Sequence, residues 1–181
     1  DDLFSTFGKP YNTDKQYESW MVASSYLAYG GTMQVVRADD ATLANATARM
    51  LRKKGAKVID LNNPDEDVQA RTANGFEAEI YLGFKIENDS YSTISYFKTK
   101  NSQSEGGFRL ASQCSKEITK AVGIETGTAG MQLPILRATK MPAILCSVGP
   151  PGEIIKNTEE IAIALATAIS NWFREPLKLA E

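Results

Sequence analysis

The 181 residues carry 20 Lys and Arg against 22 Asp and Glu, a net charge of −2 that gives no electrostatic preference for nucleic acid or an anionic membrane surface. Composition is that of a soluble globular protein, 43% hydrophobic and 23% charged, and no apolar run approaches the roughly 20 residues of a membrane-spanning helix. Histidine is absent, so any metal or acid–base chemistry must do without imidazole. Cys114 and Cys146 are too few for a disulfide framework. They read as buried thiols, with a single bridge between them left open. The start, Asp1-Asp2-Leu3-Phe4, has neither Met nor an apolar leader and reads as a cut or processed end.

Turn formers dominate residues 1–14. From Lys15 to Tyr29 the spacing of Tyr17, Trp20, Met21, Leu27 and Ala28 predicts a helix stopped by Gly30-Gly31. Thr32–Ala38 is short and β-branched, a strand, and Asp39-Asp40 offers an N-cap for a helix over Ala41–Lys54 closed by Gly55. Ala56–Leu61 is a second strand. Asn62 to Glu66 opens an acidic helix that runs to about Phe76. Ala78–Ile86 and Ser92–Lys98 read as further strands, and Ser104–Val122 as a long helix with Phe108, Ala111, Cys114 and Ile118 near one face. Gly123–Gly130 reads as a mobile surface loop over the sheet edge. Ala143–Val148 is the last strand, Gly149-Pro150-Pro151-Gly152 a hard turn, and Thr158–Phe173 a final helix striped by Ile161, Leu165, Ile169 and Trp172. Strands alternating with helices of this length predict an α/β fold, a mainly parallel sheet with helices on both faces.

Two stretches carry a family resemblance. Ala78-Glu79-Ile80-Tyr81-Leu82-Gly83-Phe84-Lys85 and Lys140-Met141-Pro142-Ala143-Ile144-Leu145-Cys146-Ser147-Val148-Gly149 resemble the two signature strands of the zinc-dependent N-acetylmuramoyl-L-alanine amidases. The likeness extends in order and spacing over roughly residues 43–172. It takes in Leu43 to Leu51, Asp67 to Asn74, Gly106 to Ala111 and Leu133 to Arg137. It implies a three-layer sandwich and, for the family, cleavage of peptidoglycan at the bond between muramic acid and the first alanine of the stem peptide. In that family the first strand ends on a zinc-binding His and the second carries a catalytic Glu. Here Lys85 and Ser147 stand in those places. A protonated amine does not ligate zinc, and a hydroxyl is too weak a base to replace a carboxylate. Residues 1–40, with Leu3 to Pro10 and Tyr17 to Arg37, resemble instead an internal segment of the tail sheath protein of contractile-tailed phages.

Other chemistry fares less well against plain structural roles. Asp39, Asp40, Asp60 and Asp89 lie near strand ends, where a carboxylate cluster would suit Mg²⁺ or Ca²⁺ better than zinc, but helix capping and solvation account for them. Cys146 neighbours the lost catalytic position, yet strand alternation points Cys146 and Ser147 to opposite faces. Gly123–Gly130 lacks the features of a phosphate loop.

The sequence therefore predicts a sheath-like segment over 1–40 joined to the same sheet, an amidase-like α/β domain over 41–176 and a tail over 177–181. No catalytic residue and no metal site are assigned, although zinc is the family's cofactor. Lys85, Arg137 and Ser147 are expected to line a strand-end cleft that binds peptidoglycan fragments or a protein partner. The N-terminal segment is expected to support self-association. A structural part in a phage tail or contractile injection device, or an engineered chimera without activity, is the competing reading.

Overall fold

The computed structural model describes residues 34–37, 41–61 and 63–174, all within one compact unit spanning Met33–Glu181. In chain order the elements are β1 (Gln34–Arg37), α1 (Ala41–Lys53), β2 (Val58–Leu61), α2 (Glu66–Gly75), β3 (Tyr81–Ile86) and β4 (Ser92–Phe97). There follow α3 (Glu105–Val122), β5 (Thr126–Met131), α4 (Pro134–Ala138), β6 (Ala143–Val148), α5 (Pro151–Lys156) and α6 (Thr158–Arg174). The expected helix over Lys15–Tyr29 and the Asp39-Asp40 cap lie outside the described residues.

The six strands form one sheet in the order β2-β1-β3-β6-β4-β5. β2, β1, β3 and β6 run parallel, β4 is antiparallel to β6, and β5 is parallel to β4. The chain moves outward from β1 to β2 and then returns to the other side of β1 with β3. Open α/β sheets offer a crevice at such a reversal, beyond the carboxyl ends of the strands.

Strand alternation sorts side chains into two cores. On one face Leu82 and Phe84 of β3, Ile94 and Tyr96 of β4, and Ile144, Cys146 and Val148 of β6 pack under Leu43 and Leu51 of α1, Leu110, Cys114 and Ile118 of α3, and Ile161, Leu165 and Ile169 of α6. On the other, Tyr81, Ala143 and Leu145 meet Ala70 and Ala73 of α2 and Ile135 and Leu136 of α4. The result is the expected α/β three-layer sandwich, a mainly parallel sheet covered on both faces.

Local chemistry fixes the helices. The Asp65 carboxylate accepts from the backbone N–H groups of Asp67 (2.8 Å) and Val68 (3.2 Å) at the start of α2. Ser104 accepts from Gly107 N–H (3.1 Å) at the start of α3. Trp172 of α6 donates its indole N–H to the Gly106 carbonyl (3.2 Å), and the Arg109 guanidinium lies 4.8 Å from the Trp172 ring, which ties α6 to the first turn of α3. Among the described residues no helix is long and apolar enough to cross a membrane.

Two stretches differ from their sequence-based expectation. Most of the glycine-rich run read as a loop is the edge strand β5, paired with β4 from Thr126 to Met131. Its glycines suit a strand because neighbouring side chains lie across them, Tyr91 over Gly127 and Lys98 over Gly130. The turn after β6 is shorter than expected: Pro151 opens the short helix α5, where its missing N–H would have no helical partner in any case.

Candidate functional site

Lys85 and Ser147 are direct register partners on β3 and β6, one residue from the carboxyl ends of those strands. Alternation sends both to the α2/α4 face, because their neighbours Phe84, Cys146 and Val148 belong to the opposite core. Ser147 is also in register with Thr93 of β4, and Thr93 with Gly127 of β5. Lys85, Ser147, Thr93 and Gly127 thus form one row across four strands. At about 4.8 Å per strand the row is ~14 Å long. The helix α4 packs over the opening of β6, at Ala143 and Leu145, and among the described residues the apolar cluster on this face includes none of the row, which forms a polar shelf.

Each end of the row is finished by a residue from the connection between β3 and β4. The Lys85 ammonium is paired with the Glu87 carboxylate at 2.7 Å, with side chains 55% and 36% exposed. Tyr91, 46% exposed, reaches with its hydroxyl into the space that a side chain at Gly127 would fill. Ser147, Thr93 and Gly127 are half-buried between these ends.

The connection is held firmly. Glu87 N–H donates to the Val148 carbonyl (2.8 Å), and the Ser92 hydroxyl accepts from Gly149 N–H (3.2 Å). Gly149 lies so close that a Cβ there would overlap the backbone carbonyl oxygens of Glu87 and Asp89. Glu87 and Tyr91 therefore hang from a rigid return rather than a free loop.

Of the residues singled out from sequence, Lys85 and Ser147 are brought together. Arg137 is exposed on α4, on the same face but over the other part of β6, and no hydrogen bond or ion pair joins it to either residue among those described. Asp60 points to the α1 side, where Arg52 Nη2 binds it at 3.0 Å. Asp89 is exposed beyond β3. Asp39 and Asp40 lie outside the described residues. Cys146 is fully buried on the opposite face, and both thiols are free. Burial pushes the Cys146 thiol up to about 12, and burial, then Cys146 and Glu117, raise that of Cys114. Both thiols are thereby kept protonated and inert. Glu87, Tyr91 and Thr93 were not foreseen. The alternation of Ser92–Phe97 was the one available signal for Thr93. The roles of Glu87 and Tyr91 depend on a return whose shape the sequence does not disclose.

The described residues do not fit a zinc ion. Lys85 and Ser147 are an ion-paired ammonium and a hydroxyl, and among the described residues no three Cys, Asp or Glu side chains gather as a ligand set. Among the described residues no side chain is hydrogen-bonded to the Ser147 hydroxyl. What the shelf offers is hydrogen bonding: an ammonium, a carboxylate, two hydroxyls and an aromatic edge. A depression of about 480 Å³ lined by Lys54, Glu79, Phe173 and Arg174 lies at the opposite end of the strands and shares no residue with the shelf.

No family model matches the chain, and no curated protein matches it significantly. Solved structures do. An N-acetylmuramoyl-L-alanine amidase from Clostridium difficile 630 superposes with a TM-score of 0.68 at 18% identity, over 80% of this chain and 98% of its own. The catalytic domain of CwlV, an N-acetylmuramoyl-L-alanine amidase from Bacillus (Paenibacillus) polymyxa var. colistinus, gives 0.62 at 16%, over 80% and 99%. The catalytic domain of the CD27L endolysin, which targets Clostridia difficile, gives 0.63 at 16%, over 78% and 98%. The chain has the fold of amidase catalytic domains. The tail-sheath resemblance of residues 1–40 gains no support from these comparisons, and most of that segment lies outside the described residues.

Proposed function

We propose that this chain is a zinc-free descendant of cell-wall amidases that binds peptidoglycan fragments on the shelf and does not hydrolyse them. One observation carries the reading. Within an amidase fold, the residues that by resemblance replace a zinc ligand and the catalytic carboxylate are adjacent in register, and one of them is already engaged by Glu87. Hydrolysis by the family's route needs a metal to acidify water and a carboxylate to move the proton. Binding needs only a polar face, and the row of Lys85, Ser147 and Thr93 supports that reading.

Lys85 supplies a charge-assisted donor, Glu87 an acceptor, and Ser147 and Thr93 hydroxyls that serve as either. Arg137 is proposed to contact a longer ligand that extends over α4. Calorimetric titration with a disaccharide–peptide muropeptide is expected to show binding, weakened about tenfold in Lys85→Met through loss of a charged hydrogen bond. An unchanged affinity in that variant would remove Lys85 from the site. No binding, together with tubes or rings of the chain under the electron microscope, would favour the structural role implied by the resemblance of residues 1–40.

A further inference from the structure

The charge on the shelf and its aromatic edge say which part of such a fragment would be held, an inference that rests on the reading above. Lys85 does not present an unopposed ammonium, because Glu87 meets it at 2.7 Å. An acidic peptide approaching the ammonium meets the Glu87 carboxylate as well, and like charges at that range repel. A neutral polyol meets no such conflict: its hydroxyls accept from an ammonium and donate to a carboxylate. The Ser147 and Thr93 hydroxyls continue the same chemistry along the row. At its far end the exposed Tyr91 ring supplies the apolar surface that a sugar's C–H face requires. Gly127 is what lets Tyr91 lie there, since any side chain at 127 would occupy the position of its hydroxyl.

We propose that the shelf is a saccharide site, in which a neutral oligosaccharide lies along the row, one pyranose ring against Tyr91 and the hydroxyls of this and the adjoining rings engaged by Thr93, Ser147 and the Lys85–Glu87 pair. A cell-wall fragment is then held by its glycan and not by its acidic stem peptide.

The test is an NMR titration of the chain with a neutral N-acetylglucosamine tetramer and, separately, with the acidic dipeptide L-Ala-D-Glu. The glycan is expected to bind, with an affinity that changes little with salt because no net charge is exchanged. The dipeptide is expected not to bind. Tyr91→Ala should weaken the glycan about tenfold, the equivalent of 1.4 kcal/mol. Gly127→Ala should do the same with every proposed ligand-binding residue left in the sequence, because its methyl takes the place of the Tyr91 hydroxyl and displaces the ring. Thermal melting would establish that both variants stay folded. Binding of the dipeptide in place of the glycan would overturn the saccharide assignment and leave the shelf as a binding face. Binding of neither would overturn both. Glycan binding unchanged in both variants would place the sugar elsewhere and defeat the proposal.

Discussion

Gly149 shows how one small residue can set the geometry of a site it does not enter. Its Cα packs against the carbonyl oxygens of Glu87 and Asp89, and its amide bonds Ser92, so the return bearing Glu87 and Tyr91 is fixed to the end of β6. A methyl group at 149 would have to push backbone aside, which distinguishes it from Gly127, where only a side-chain tip need move. Gly149→Ala is therefore expected to destabilise the fold by about 1–3 kcal/mol, read as a lower urea midpoint. An unchanged midpoint would mean that the return is not pinned there. Lys85 and Ser147 were legible from sequence through the family resemblance of their two strands, and the pairing of β3 with β6 then sets them side by side. Glu87 and Tyr91 were not. Both lie in a bend where no period applies, and their placement depends on a contact across about sixty residues of chain.

The strands and long helices were readable as elements because each has a buried stripe of its own: Ile161, Leu165 and Ile169 for α6, Leu110, Cys114 and Ile118 for α3. β5 was not, since a strand of Thr, Gly and Ala has no stripe and owes its place to β4 and to the side chains laid over its glycines. The short helices α4 and α5 open on proline and span five and six residues, too few for a period to emerge. The packing of α3 on β6 has a consequence of its own. It buries Cys114 and Cys146 together, and burial raises both thiols above their ordinary value of 9.0, Cys146 to about 12. Unfolded thiols release their protons near pH 9 while the folded ones retain them. Stability is then full below about pH 9 and falls as pH rises toward 12, by at most about 1.4 kcal/mol per unit for each thiol. Urea midpoints at pH 8 and pH 10 should show the decline, and Cys146→Ala should reduce its slope. A slope that the substitution does not change would contradict this account of the interface.

At the scale of the whole molecule the chain has the fold of amidase catalytic domains. Its layers, strand order and two cores follow from alternating strands and amphipathic helices, and they match amidase catalytic domains at identities of 18% and below. Such a fold persists at that divergence because a core requires apolar volume in the right places, whereas a metal centre requires particular atoms. Our proposal is that Lys85, paired with Glu87, and Ser147 stand where the resemblance would place a zinc ligand and the catalytic carboxylate, so that the shelf binds without a metal. Equilibrium dialysis of the purified chain against zinc tests it most directly. The account predicts zinc far below one ion per chain, and a saturable stoichiometry of one would contradict it.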